Sequence, residues 1–168
     1  MGVDEHREQA RTIRTVRYAQ LTITDSRIEG EDRSGRVITS LLNEAGHVRV
    51  AYQLLPNEVS RIRAAVEELL AEELDVIVTT GGTGLGRRDQ TVEAVSPFLE
   101  KEVTGFGELF RNLSYAEIGP AAFLSRALCG VARGKILVCL PGSEGAVRLA
   151  LAKLLVPELL HLVSQVRR

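Results

Sequence analysis

The chain has 168 residues, which suits one domain large enough to bury a sizeable core. Lys and Arg together number 21 against 22 Asp and Glu, so the formal net charge is −1. This balance argues against a nucleic-acid or membrane surface, and no apolar run is long enough to span a bilayer. We therefore expect any anion-binding site to be local.

The first 15 residues are predicted to form a flexible N-terminal arm, and residues 16–168 a single domain. The arm is charged and lacks the apolar segment of a secretory signal peptide. The two cysteines, Cys129 and Cys139, have neither zinc-site spacing nor a disulfide framework, and Cys139 lies in an apolar run that predicts burial. These features predict a cytoplasmic protein.

The first predicted strand covers residues 18–24 and ends in Thr24, Asp25 and Ser26. Polar side chains at the carboxyl end of a strand stand where open α/β sheets bind ligands. The same residues are equally suited to an Asx-type turn that leads into the next loop. The local sequence leaves both interpretations open.

Helical spacing of apolar residues predicts a helix that ends at Gly46, followed by a strand over residues 48–54. His47, between them, is interpreted as a solvent-exposed residue at the helix end. Asn57 is a good N-cap for the next helix. The apolar stripe of that helix consists of Ile62, Val66, Leu69 and Leu70.

Residues 76–78 are apolar and β-branched, which predicts a buried parallel strand. Four glycines follow at positions 81, 82, 84 and 86, where a bare backbone can take positive φ and approach a ligand. Thr91 is a candidate N-cap, so loop amides and a helix N-terminus would converge on an anion. The loop lacks the Gly-Lys of nucleotide hydrolases, and its third glycine stands one residue too early for the dinucleotide fingerprint. It predicts a phosphate or nucleotide site, with a simple tight turn as the alternative.

Beyond this loop, Ser96 and Pro97 predict the start of a short helix that ends near Glu102. The next segment is rich in glycine and is interpreted as flexible. It holds Phe106 and Phe110, for which the alternatives are packing in the core and a subunit contact.

A helix over residues 120–128, closed by Gly130, leads to a fourth predicted strand over residues 135–140. A loop of turn residues follows over 141–145, and an apolar-periodic tail continues to residue 163 with a break at Pro157. Four strands that alternate with helices predict an α/β fold with a largely parallel sheet. Both glycine loops would then lie at the carboxyl ends of strands.

Four segments are specific when they are considered together: residues 79–89, 105–111, 124–127 and 140–143. They resemble the MoaB/MogA family of molybdenum-cofactor biosynthesis proteins over nearly the whole domain. The resemblance implies a three-layer α/β/α fold with a mostly parallel sheet that binds molybdopterin, a pterin with a dithiolene and a terminal phosphate. Active members of the family transfer AMP from ATP to that phosphate, with Mg²⁺, and release pyrophosphate. A homotrimer or hexamer is also implied, with other molybdenum-cofactor enzymes as further partners.

The resemblance also assigns roles to residues of this chain. Asp89 falls on the family's second functional aspartate and is expected to be catalytic and to bind Mg²⁺. Ser125 falls on a hydroxyl used near the pterin phosphate, and Arg126 beside it is expected to bind an anion. The other expected substrate-binding residues lie in loops after strands: Thr24, Asp25, Gly81, Gly82, Thr83, Gly84, Pro141, Gly142 and Ser143.

One position departs from the active members, which carry an aspartate where this chain has Asn57. Asparagine keeps the capping ability and a carbonyl oxygen but brings no charge. The first hypothesis is a Mg²⁺-dependent molybdopterin adenylyltransferase in which Asn57 and Asp89 are catalytic. The second is a MoaB-type protein that binds molybdopterin or a precursor without transferring AMP. A nucleotide-binding domain unrelated to molybdenum is a third alternative.

Overall fold

The structure, a computed structural model, describes residues 13–26 and 28–168. Most of the predicted arm over residues 1–15 lies outside the described residues. At its end, Ile13 packs against the core, and Val16 is fully buried. The domain therefore includes the residues just before the first strand.

Strands and helices alternate along most of the described chain. The strands are β1 (Arg17–Ile23), β2 (Val48–Leu55), β3 (Val76–Thr80), β4 (Lys101–Glu102), β5 (Leu128–Ala132) and β6 (Lys135–Leu140). The α-helices are α1 (Arg33–Glu44), α2 (Val59–Ala71), α3 (Thr91–Val95), α4 (Thr104–Ile118), α5 (Glu144–Ala150) and α6 (Val156–Val166). Short 3₁₀ turns cover Glu29–Glu31, Ser96–Phe98 and Gly119–Leu124, and a π-helical turn covers Leu151–Leu155.

The sheet has the order β2-β1-β3-β6-β5-β4. β2, β1, β3 and β6 run parallel, whereas β5 and β4 are antiparallel to their neighbours. Successive residues of a strand face opposite sides, so Val76 and Val78 pack with α1 and α4–α6 while Ile77 packs with α2 and α3. The predicted three-layer α/β/α fold with a mostly parallel sheet is confirmed.

Two predictions in the second half are wrong because glycines were interpreted as breakers. The glycine-containing segment around Phe106 is the first turn of α4, and Phe106 stacks on Phe110 with ring centroids 6.3 Å apart. Both rings are buried in the core, so the core interpretation is confirmed. The helix predicted over residues 120–128 is only the 3₁₀ turn Gly119–Leu124, and β5 begins at Leu128. Gly130 lies inside β5, where a Cβ would come within 2.5 Å of the Lys101 carbonyl oxygen.

Several predicted helix ends also differ. The helix expected from Ser96 is a 3₁₀ turn that continues α3 and ends at Phe98, and the Ser96 hydroxyl donates to the Val92 carbonyl at 2.7 Å. His47 is 5% exposed rather than solvated, because its Nδ1 accepts the Val16 N–H at 3.3 Å. Burial lowers the pKa of His47. Gly46 has φ +85°, as a helix-ending glycine requires, and Pro157 lies in the first turn of α6.

The two cysteines are buried and unpaired, as predicted for Cys139. Burial raises the pKa of each thiol to about 12. Within residues 13–26 and 28–168, none of the helices has the length and apolar character needed to cross a membrane.

Candidate functional site

A cleft of about 680 Å³ lies at the carboxyl ends of the parallel strands. Because β1, β3 and β6 are neighbours in the sheet, the loops that follow them meet there. All the predicted site residues except Ser125 and Arg126 line it: Thr24, Asp25, Asn57, Gly81, Gly82, Thr83, Gly84, Asp89, Pro141, Gly142 and Ser143. The structure thus brings together residues from four separate loops.

The glycine loop after β3, residues 81–90, enters the cleft with two left-handed residues, Gly81 (φ +91°) and Gly82 (φ +64°). A Cβ at Gly81 would lie 2.2 Å from the Ile23 carbonyl oxygen, and one at Gly82 would lie 2.2 Å from Asn57 Oδ1. Among the described residues, the N–H groups of residues 82–84 donate to no protein acceptor. The loop is therefore a tight turn that also presents unused donors in the cleft, as an anion site requires.

Thr91 does not cap α3 as predicted but is its first residue, with Gln90 at the N-cap position. Its buried hydroxyl donates to the Gly81 carbonyl at 2.8 Å. The Thr91 N–H donates to the Gly82 carbonyl at 2.9 Å. The start of the helix is thereby used to hold the glycine loop rather than to face an anion.

Asp89 folds back over the glycine loop. Its Oδ2 accepts the Gly86 N–H at 3.0 Å, and a Cβ at Gly84 would come within 2.6 Å of the same oxygen. No hydrogen bond from the described residues reaches Asp89 Oδ1. Asp89 therefore closes the loop with one carboxylate oxygen, and the other is available to a ligand.

Asp25 and Asn57 connect the loops after β1 and β2. Asp25 Oδ1 accepts the Asn57 N–H at 2.8 Å, and Asp25 Oδ2 lies 3.8 Å from Nη1 of Arg88 on the rim. Asn57 is not the predicted N-cap, because Glu58 occupies that position and makes no side-chain cap. Asn57 Oδ1 is buried without a hydrogen-bond partner among the described residues. An unsatisfied buried acceptor costs about 1–3 kcal/mol, so this oxygen suits a ligand donor or a cation.

The loop after β6 forms the third wall. Ser143 caps α5, because its Oγ accepts the Ala146 N–H at 3.3 Å. The Pro141 carbonyl accepts the Thr80 hydroxyl at 2.9 Å. Gly142 and Ser143 also border a second cavity of about 590 Å³, which is lined as well by Arg33, Arg36, Glu31 and Glu144. Arg33 lies 3.8 Å from Glu144, so the lining of this second cavity is mixed in charge.

Sequence reasoning missed a buried polar network behind the first wall. Thr22 and Ser34, which line the cleft, donate to Asp32 at 2.6 and 3.3 Å, and Tyr52 donates to it at 2.9 Å. Asp32 is 2% exposed and caps α1 through the Gly35 N–H. Burial and the neighbouring Asp32 raise the pKa of Tyr52 to about 12. An Asp directly before a helical pattern is the local signal for this cap, whereas its contacts with Thr22 and Tyr52 have no local signal.

Ser125 and Arg126 lie outside the cleft-lining set, between the turn Gly119–Leu124 and β5. Ser125 Oγ accepts the Ala127 N–H at 3.4 Å. The Arg126 guanidinium donates to backbone carbonyls of the glycine loop. The guanidinium of Arg126, which is expected to bind an anion, is therefore already hydrogen-bonded to carbonyls of the glycine loop.

The described residues contain no group of three or more His, Cys, Asp or Glu side chains that could hold a metal. The cleft offers the Asp25 and Asp89 carboxylates and the Asn57 amide oxygen. Mg²⁺ is commonly held by one or two carboxylates together with substrate phosphates and water. The donor set therefore fits Mg²⁺ that is bound together with a phosphate substrate.

Comparison with known proteins gives consistent matches. Residues 19–161 match a family model described as "Probable molybdopterin binding domain". Molybdenum cofactor biosynthesis protein B of Bacillus cereus is 46% identical over 170 residues, with 100% of this chain and 99% of that protein covered. The protein of the same name from Staphylococcus aureus is 47% identical and covers 92% of this chain and 94% of its own length.

Solved structures agree. A crystal structure of tungsten cofactor synthesizing protein MoaB from Pyrococcus furiosus superposes with a TM-score of 0.86 at 36% identity, covering 93% of this chain and 99% of that one. A MogA structure superposes with a TM-score of 0.81 at 29% identity, covering 89% and 99% of the two chains. The likeness extends over the whole cleft-bearing domain.

Proposed function

This chain belongs to the MoaB/MogA family of molybdenum cofactor biosynthesis proteins, and from that premise we propose that its cleft binds molybdopterin and transfers AMP to it from ATP. The observation that carries the proposal is the convergence in one cleft of unused loop N–H groups with the Asp25 and Asp89 carboxylates. Two polyanionic reactants need donors for their phosphates and oxygen ligands for a cation.

The reaction joins an oxygen of the molybdopterin phosphate to the α-phosphorus of ATP. The bond from that phosphorus to the oxygen bridging the α- and β-phosphates breaks, and pyrophosphate leaves. Such transfers require positioning and charge stabilisation more than covalent help from the protein. The N–H groups of residues 82–84 would bind phosphate oxygens, and the hydroxyl of Thr24 stands at the same edge.

Mg²⁺, when bound, would neutralise phosphate charge, and Asp89 is the residue that we assign to it. Asp25 is the second carboxylate in the cleft. Asn57 contributes a neutral buried oxygen that lacks a partner among the described residues. A ligand that supplies a donor or a cation at this oxygen relieves its desolvation cost.

The same asparagine favours the second candidate function, a protein that binds molybdopterin or a precursor without AMP transfer. At an effective dielectric of about 20, a carboxylate about 4 Å from a cation gains several kcal/mol before desolvation is subtracted. An amide oxygen lacks most of that gain. The two candidates therefore differ in whether Asp89 and Asp25 suffice for the metal.

The test is AMP transfer to purified molybdopterin with ATP across a Mg²⁺ titration, with analysis of the product. Wild type and Asn57→Asp are compared, and Asn112→Asp, an exposed asparagine on α4, controls for the added charge. If the chain is the proposed enzyme, the wild type transfers AMP, and Asn57→Asp changes the rate little. An inactive wild type that binds molybdopterin and gains activity in Asn57→Asp supports the binding protein. If neither variant binds molybdopterin, both candidates are wrong.

We also propose a homotrimer or hexamer that works beside other molybdenum-cofactor enzymes. Phe106 and Phe110 are used inside the core, so the proposed contact moves to exposed apolar residues at the end of α4 and in the turn after it. These are Tyr115, Ile118, Phe123 and Leu124. Light scattering at micromolar concentration should show at least a trimer, and Phe123→Glu should shift it toward monomer. A monomeric wild type would contradict this.

A cytoplasmic location completes the proposal. Cys129 and Cys139 are unpaired, and reduced thiols are normal in that compartment.

A further inference from the structure

Arg126 reaches the glycine loop from the segment before β5. Its side chain is 27% exposed, and its Nε donates to the Thr83 carbonyl at 2.9 Å. Its Nη2 donates to the Gly84 carbonyl at 2.6 Å and to the Asp89 carbonyl at 3.4 Å. A guanidinium is a rigid planar fork, so these three bonds fix the two ends of the loop relative to each other.

These bonds also determine which way the loop peptides face. In a planar trans peptide, the carbonyl of one residue and the N–H of the next point in opposite directions. Because the Thr83 carbonyl is turned toward Arg126, the Gly84 N–H is turned away from it. Gly84 lines the cleft and Arg126 does not. The contact with Arg126 therefore turns this N–H away from the guanidinium, at a residue that borders the cleft.

Glu93 on α3 holds the guanidinium in place. Its carboxylate forms an ion pair with Arg126 Nη1, and its Oε2 accepts from Nη2 at 3.3 Å. The hydrogen bond from Arg126 lowers the pKa of Glu93, so the carboxylate is charged at neutral pH. The charge of Arg126 is thus balanced by Glu93 and by loop carbonyls rather than offered to the cleft.

We propose that Arg126 is a positioning residue, held by Glu93, that sets the backbone of the glycine loop for phosphate binding and does not itself contact the substrate. Its effect on ligand affinity rests on the proposed function, whereas its effect on the loop does not.

The experiment compares Arg126→Gln, Arg126→Lys and Glu93→Gln. The matched controls are Arg133→Gln and Glu67→Gln, because Arg133 and Glu67 form an exposed two-pronged ion pair, at 2.6 and 3.0 Å, in which neither side chain lines the cleft. Amide hydrogen exchange of Gly86 and Asp89, whose N–H groups are hydrogen-bonded inside the loop, measures the loop. Calorimetry with pyrophosphate and with molybdopterin measures binding, and thermal melts confirm folding.

Arg126→Gln should accelerate exchange in the loop and weaken molybdopterin binding about 10- to 100-fold, the scale of hydrogen bonds to a charged group. Arg126→Lys keeps the charge but loses the fork, so it should recover little of the lost affinity. Glu93→Gln should weaken binding about 2- to 5-fold by loosening the guanidinium. Neither control variant should change exchange or affinity.

A direct anion contact predicts the opposite sign for one variant. Removing the Glu93 carboxylate would leave Arg126 free for phosphate, so Glu93→Gln would bind pyrophosphate and molybdopterin more tightly and Arg126→Lys would restore affinity. Either result overturns the proposal, as does unchanged loop exchange in both Arg126→Gln and Glu93→Gln. If wild type binds no molybdopterin, the proposed function is wrong, and the exchange data still decide the role of Arg126.

Discussion

The two halves of the sheet are held together in different ways. In the parallel half, the loops after β1, β2 and β3 are tied to one another by polar groups: Asp25 accepts the Asn57 N–H, and Arg88 lies 3.8 Å from Asp25. In the antiparallel half, β4 and β5 approach each other closely at Gly130, which has no side chain. The stacked rings of Phe106 and Phe110 on α4 pack in the same core cluster as Cys129 of β5. We expect ligand binding to depend on the polar ties of the first half rather than on the stacked rings of the second, although both halves contribute buried core residues, so mutations in the rings should change stability and leave affinity unchanged.

The largest expected effect is loss of stability without loss of affinity. Phe110 is 1% exposed, and Phe110→Ala should reduce the free energy of unfolding by about 3–5 kcal/mol because it leaves a cavity. Urea unfolding measures this. Leu109→Ala is the control, since Leu109 lies on the same helix, is 57% exposed and is outside the proposed subunit contact, so its truncation should change stability by less than about 0.5 kcal/mol. A folded Phe110→Ala protein with weaker molybdopterin binding would show that the halves are coupled.

The second-largest expected effect is loss of ligand affinity without loss of stability, and it concerns Asp89. Asp89→Asn retains an oxygen that can accept the Gly86 N–H, so stability should change little. Affinity for Mg²⁺·ATP should fall by about 1.5–3 kcal/mol, the scale of one contact to a charged group, and more than affinity for molybdopterin. Calorimetry beside a melting curve tests this, with the exposed Glu117→Gln as the charge control. Normal nucleotide affinity in a destabilised protein would make Asp89 a purely structural residue.

The smallest effect is a pH dependence at the start of β2. Burial lowers the pKa of His47 below 6.5, so the unfolded chain binds the proton more readily than the folded one. The stability that His47 contributes is present above pH about 6.5 and is lost as pH falls through its folded pKa. His47→Asn keeps an acceptor for the Val16 N–H and cannot titrate, so it should flatten stability between pH 7 and 5 in urea unfolding. If the pH dependence of the unfolding free energy seen in the wild type persists in His47→Asn, other groups cause it.

The strands and loops of the parallel half could be predicted because they are encoded by local sequence patterns. β3 is a β-branched run and glycines follow it, so both the strand and the cleft loop were predicted within a few residues. The antiparallel half could not, because α4 begins with glycines inside its first turn and β5 has Gly130 at its centre. Two of those glycines are explained by a neighbour in space: Gly130 by the Lys101 carbonyl, and Gly107 by Arg111 and the Ala127 carbonyl, whereas a Cβ at Gly105 would meet nothing within 4 Å.

Within the cleft, the set of lining residues was predicted better than the contacts of individual side chains. Asn57 and Thr91 were assigned as helix caps from their residue types, yet one is a buried acceptor and the other binds a loop carbonyl. Arg126 contacts residues 42 and 43 positions away in the chain, and Asp32 is reached from β1 and β2. No local pattern encodes such pairings, because they depend on where the sheet places each loop.

The crowding at Gly82 has an evolutionary consequence. A Cβ there would lie 2.2 Å from Asn57 Oδ1, 2.3 Å from Thr91 Oγ1 and 3.2 Å from Ile23 Cγ2. Gly82 also has φ +64°, so a larger residue at position 82 requires smaller residues at positions 23, 57 and 91 and, in addition, a strained left-handed backbone. In a library randomised at these positions and selected for function, the residues found at the four positions should be correlated rather than independent. Replacement of Gly82 during evolution therefore requires simultaneous substitutions in several loops of the cleft, which restricts how its ligand preference can change.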